Sequence, residues 1–244
     1  SSDTEVVDTT PVVETPVVEE PVVETPVVEE PVVVVPVVTE VAISALTADT
    51  TFKTTDDLDG GAGTADELSL TMGGNFAGFA TTGDDTGSMV GYEVVSLAAD
   101  TISRTFDATG VSGVETYKID GSNGGVVSIT DVAELVAVEL SNIASGAFSI
   151  AYDATAAANA GTADTLSLTV EGMGSATADV AVTAAGMEAV ALTSNAAATA
   201  AGATNYLDLS SVAAATDITV TGAADTDIAA VGSAFDTLDA AKAT

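Results

Sequence analysis

The chain has 244 residues, of which 37 are Asp or Glu and four are Lys or Arg, giving a formal charge of −33. It contains no histidine, cysteine or tryptophan, which removes Ser-His and Cys-His nucleophile pairs, histidine or thiolate zinc sites and disulfides together. With only Lys53, Arg104, Lys118 and Lys242 as cations, it fits neither nucleic acid nor an anionic membrane surface, both of which require clustered basic residues.

Catalysis by paired carboxylates remains chemically open. A carbohydrate cleft, however, uses aromatic platforms, and the chain has six Phe and four Tyr in all, so it is expected not to be an enzyme. No run approaches the roughly 18 apolar residues that a membrane span needs. The chain starts at Ser1 without an initiator methionine, so a processed product or a fragment is expected.

The first element is an arm. All six prolines fall at Pro11, Pro16, Pro21, Pro26, Pro31 and Pro36, one every five residues, in repeats of the type PVVET and PVVEE. Proline removes helical hydrogen bonds and valine is stiff at χ1, so residues 1–40 are expected to be extended. An odd repeat puts successive prolines on opposite strand edges, so each edge keeps most of its donors. Residues 10–38 would span roughly 90 to 100 Å, longer than a compact body of this size is wide. The arm therefore suits contact between molecules. Its candidate contact residues are Val12, Val13, Val17, Val18, Val22, Val23, Val27, Val28, Val32, Val33, Val34, Val35, Val37 and Val38, which would set register during strand addition to a neighbour. A solvated spacer and docking on the arm's own body are the alternatives.

From residue 41 to 244 the chain is rich in Ala, Thr, Val, Gly, Ser and Asp. Alternating runs recur at Glu67 to Met72, Tyr92 to Leu97, Glu115 to Ile119, Val126 to Thr130, Ala147 to Ala151, Thr165 to Val170, Val180 to Thr183, Ala189 to Leu192, Tyr206 to Leu209 and Ile218 to Thr221. Period two between Gly, Asn, Asp and Ser turns predicts strands. The alanine-rich pieces 155–160 and 196–203 read as turns, and Ser44 to Asp49 and Thr237 to Ala243 read as brief helices.

The body is internally duplicated, with copies at about 58–150 and 155–244. Gly63 to Thr71 reads GTADELSLT and Gly161 to Thr169 reads GTADTLSLT, identical at eight of nine positions. Gly91-Tyr92-Glu93 is echoed by Gly186-Met187-Glu188, and Gly113-Val114-Glu115 is a third G-x-E. Strands spaced about 15 to 25 residues apart, built from small side chains, predict an all-β, parallel β-solenoid-like body. A β-sandwich is the alternative.

The run Leu58 to Leu68, the G-x-E-x-x-x-L strands, and Asn205 to Ser211 followed by Thr216 to Gly222 together resemble the repeat region of Gram-negative surface-layer proteins related to the RTX exoproteins, over about residues 55–232. The resemblance implies a secreted, calcium-dependent, self-assembling protein, commonly exported by type I secretion. The arm lies outside that pattern.

Calcium is the cofactor this implies. RTX turns gather backbone carbonyls and a carboxylate around a hard cation. Here Ala65 stands where that carboxylate belongs and Asp66 follows it. Asp57, Asp59 and Asp66 are candidate ligands for one site, Asp153 and Asp164 mark the equivalent turn, and Asp84 and Asp85 form another acidic turn. Aspartates in glycine-rich turns also serve local hydrogen bonds. Glu93, Glu115 and Glu188 would either stack as a carboxylate row or face water. Tyr92, Tyr117, Tyr152 and Tyr206 are expected to pack along strands.

The expectation is a structural, non-catalytic, self-assembling subunit of an extracellular filament or surface layer, with copies of itself as partner. The alternative is a segment of a large cell-surface adhesin, with the arm as stalk and cell-surface glycans as partner.

Overall fold

A computed structural model describes residues 38–43, 52–153, 164–196 and 204–240, with the backbone alone for 38–43 and 240. The chain divides into two units, Ser1–Val33 and Val34–Thr244, and the described residues all belong to the second. The expected arm residues up to Val37 lie outside them, as do the brief helix at 44–49 and the turn at 155–160.

Seventeen strands are present and no helix among the described residues. In chain order they are β1 Val38–Ile43, β2 Asp57–Asp59, β3 Glu67–Met72, β4 Ser88–Val90, β5 Val94–Ala99, β6 Arg104–Asp107, β7 Thr116–Asp120, β8 Val127–Val132 and β9 Ala137–Ser141. There follow β10 Gly146–Tyr152, β11 Thr165–Glu171, β12 Val180–Ala184, β13 Ala189–Asn195, β14 Asn205–Ser211, β15 Asp217–Gly222, β16 Thr226–Val231 and β17 Thr237–Ala240.

The odd-numbered strands form a nine-stranded parallel sheet in the order β1-β3-β5-β7-β9-β11-β13-β15-β17. A six-stranded parallel sheet runs β16-β14-β12-β10-β8-β6, and β2 pairs with β4. The chain alternates between the two large sheets, advancing one strand position per coil. This is a parallel β-solenoid; the sandwich alternative is excluded, because a sandwich of hairpins and Greek keys needs antiparallel neighbours. The step between paired strands runs from 20 residues, Asp217 to Thr237, to 34, Gly146 to Val180. Several steps fall within the expected 15 to 25 and others exceed it, because each coil carries loops of unequal length.

Period two decides which side chains go inside. In β3, Leu68, Leu70 and Met72 are buried while Ser69 and Thr71 face outward, and Leu166, Leu168 and Val170 repeat the pattern in β11. Parallel register then stacks like positions: Leu70 lies beside Leu97, and Leu97 beside Ile119. The first coils carry the additional β2–β4 sheet. There Phe52, Phe76, Phe79 and Phe106 form one cluster with ring centroids 4.7 to 5.6 Å apart, and burying such rings contributes about 1.5–3 kcal/mol each.

One expectation is corrected: Thr237 to Ala240 is a strand paired with β15, because cross-strand bonding overrides the helix propensity of a short Leu/Ala segment. The strand β1 runs across residue 40, with Val38 beside Glu67 of the same chain.

Candidate functional site

The duplicated motifs occupy the corners where the chain enters the nine-stranded sheet. Gly91, Gly113 and Gly186 have φ of 70°, 81° and 82°, a left-handed conformation that glycine adopts without steric cost. The residue after each glycine, Tyr92, Val114 or Met187, is buried in the core. Gly91 also lies where a side chain on Gly60 would strike its carbonyl oxygen, at 2.0 Å. The G-x-E motif is therefore a corner: a turn, an apolar anchor and an acid.

The acids differ in role. The amide of Asp66 donates to Glu93 Oε2 at 2.8 Å, and the amide of Asp164 donates to Glu188 Oε2 at 2.9 Å. Both glutamates are half-buried, whereas Glu115 is exposed. They form no continuous carboxylate row; two of them each satisfy an amide of the preceding coil, which removes an otherwise costly unpaired donor. Backbone bonds continue the corner ladder, from Val94 N to Asp66 O, Glu115 N to Glu93 O and Ala137 N to Glu115 O. The second copy repeats it with Glu188 N to Asp164 O, Thr216 N to Glu188 O and Asp236 N to Thr216 O. The duplication thus extends over four coils, further than the matching residues alone indicate.

The candidate calcium ligands are dispersed. Asp57 is exposed and accepts from Ser88 Oγ at 3.0 Å; Asp59 is exposed and accepts from the Gly61 amide at 2.8 Å. Asp66 is only 2% exposed, and its carboxylate lies over Gly63, where a Cβ would meet Oδ2 at 2.2 Å. Asp84 and Asp85 are exposed in a bend. Asp153 donates its amide to Val132 O. Asp164 Oδ2 is buried without a hydrogen-bond partner among the described residues. No group of three or more acidic side chains among the described residues is arranged to hold a metal ion. The turn containing Gly161 lies outside them.

Tyr117 and Tyr152 are core tyrosines. Burial pushes the Tyr152 phenol up to about 12, against a backbone hydrogen bond with Val136 that lowers it, and the Asp164 charge raises it further. Burial, then the neighbouring Tyr152, raises Tyr117 as well.

Asn205 is a buried polar residue whose structural role was not apparent from its local sequence. At 1% exposure it accepts the Met173 amide at 2.9 Å and donates to Ser194 Oγ at 2.8 Å and Asn195 O at 3.0 Å. It clips two successive coils together at one corner through its side-chain amide.

The outer face of the nine-stranded sheet carries hydroxyls and charges. A shallow groove there is lined by Glu67, Ser69, Ser96, Lys118, Asp120 and Ser141 among others. Ser96 Oγ donates to Glu67, and Lys118 Nζ stands 4.0 Å from its carboxylate. Further along, the Thr193 and Thr221 hydroxyls are 3.3 Å apart.

These features define a parallel β-solenoid protein with glycine-turned acidic corners. No protein-family model, curated protein or solved structure matches the chain.

Proposed function

We propose that this chain is a structural, non-catalytic, self-assembling subunit of an extracellular filament or surface layer. The observation that carries this reading is the open parallel sheet. Its end strands, β1 and β17, each have one edge unpaired among the described residues, and such edges are templates for another strand. The Pro/Val repeat, whose composition disfavours helix, directly precedes β1 in the sequence, and in this reading it docks along the neighbouring subunit by strand addition. A charge of −33 opposes association between copies, so screening or a divalent cation favours it. Calcium is proposed as that cation, held between acidic turns. The resemblance to RTX-related surface-layer repeats supports a cell-surface location.

Negative-stain microscopy of the purified chain, with calcium and with excess chelator, tests this. Ordered filaments or sheets with calcium support the reading; dispersed monomers in both conditions oppose it. In that case the chain is an adhesin segment whose outer-face groove of serines, Glu67, Lys118 and Asp120 contacts glycans, a reading favoured by its hydroxyl-rich lining.

A further inference from the structure

No strand covers the β16–β17 end of the solenoid among the described residues. Leu238 is 55% exposed there, and Ile228, Val231 and Phe235 are only partly buried. Each of the two edge strands also presents an acid on its outer face. In β17, Leu238 stands beside the buried Ile218, so Asp239, beside the exposed Thr219, faces outward. In β16, Ile228 stands beside the buried Leu207, so Asp227, beside Tyr206, faces outward. Both aspartates are exposed, and the two ion pairs among the described residues, Arg104–Asp100 and Lys118–Glu67, involve neither. The interior of the sheet differs. From β5 to β15 the positions in register with Asp239 are Val94, Thr116, Ala137, Ser167, Ala191 and Thr219, none of them charged. Glu67, which continues this column in β3, is matched by Ser96 and Lys118.

We infer that Asp227 and Asp239 guard this end against a second copy of the chain, so that contact between copies through it forms only when the two carboxylates are screened or neutralised. This rests on the self-assembly proposed above and identifies where its dependence on ions is set. An edge strand with apolar side chains pairs with extended segments that reach it, and a charge on the strand suppresses that pairing. Here the approaching segment belongs to a chain of charge −33. A strand added to β17 would lie about 4.8 Å away, which brings its acids against Asp239 while water is being removed from both. Salt shortens the reach of this repulsion, whereas it does not weaken the burial of Leu238 and Phe235. Screening therefore moves the balance at this end from repulsion to association. The other edge strand of the sheet follows the same rule: Glu40 in β1 stands opposite Ser69, as Asp239 stands opposite Thr219.

Sedimentation velocity of the full chain at low ionic strength, without calcium, reads the guard. The end variant, Asp227→Asn with Asp239→Asn, should associate on the order of tenfold more tightly than wild type, as expected when two like-charge contacts across a strand pair are removed. Glu134→Gln with Glu139→Gln changes the net charge equally at exposed positions in the middle of the solenoid and should sediment as wild type does. Adding Leu238→Lys to the end variant should return it to wild-type behaviour, with circular dichroism showing every variant folded. An end variant no more associated than wild type, a mid-solenoid variant that associates equally, or association that survives Leu238→Lys overturns the guard and leaves self-assembly standing. Wild type that stays monomeric at high salt and with calcium overturns self-assembly, and the guard then stands only if the end variant associates.

Discussion

Asp164 donates its amide to the Glu188 carboxylate of the next coil at 2.9 Å, and Asp66 and Glu93 make the same bond at 2.8 Å ninety-eight residues earlier. Two copies of a motif have kept one contact between coils, at the point where the backbone turns into the sheet. The glutamates are thereby assigned to holding coils in register.

Glu93→Ala and Glu188→Ala should each destabilise the fold by about 1–2 kcal/mol, the usual cost of leaving a part-buried amide unpaired. The corresponding Gln variants, which retain an acceptor, should lose less. Urea melts followed by circular dichroism measure both. Equal losses for Ala and Gln would mean that the charge, and not the hydrogen bond, matters.

Asn205→Ala should cost about 2–4 kcal/mol, because it strands the buried Met173 amide and removes the donors to Ser194 Oγ and Asn195 O. The same melts read this loss, and a cost below 1 kcal/mol would contradict the clip.

Leu168→Ala should cost about 2–5 kcal/mol, since it opens a cavity in the middle of a column. Leu238→Ala, at the exposed end of the neighbouring column, should change monomer stability by less than about 0.5 kcal/mol. Comparable losses at the two sites would show that Leu238 is covered within the monomer.

Alkali should unfold the protein through its buried phenols. The folded-state pKa of Tyr152 is about 12, above the ordinary 10, so the folded state holds its proton more tightly than the unfolded chain does. That stabilising contribution is complete below pH 10 and is lost as pH rises from 10 to about 12, with Tyr117 acting in the same direction. Absorbance titration of tyrosinate alongside circular dichroism tests the coupling. Ionisation of Tyr152 near pH 10 with the fold intact would contradict it.

The fold was legible where strands carry two or three large inward residues, as Leu68, Leu70 and Met72 do. It was not legible in Arg104–Asp107, with Phe106 as its one large apolar residue, or in Thr226–Val231, where alanines blur the alternation. Thr237–Ala240 looked helical because its propensity is local, whereas its pairing with β15 is not. The proline period ends at Pro36 and changes the composition there, whereas β1 at Val38–Ile43 is defined by its pairing with β3, which composition does not show. The corner residues were visible as Gly-x-Glu, but spacing alone did not reveal that Glu93 and Glu188 accept amides. The acidic turns were also visible, yet Asp59 is occupied by the amide of its own turn, which sequence does not distinguish from a metal ligand.

Self-assembly is the central claim, and sedimentation velocity of the full chain beside residues 38–244, across protein and calcium concentration, tests it most directly. The truncation begins at Val38 so that β1 is retained. The account predicts large species for the full chain, and a folded truncation that associates only at higher concentration. A full chain that stays monomeric throughout would contradict the claim, and a truncation that assembles as readily would remove the arm from it.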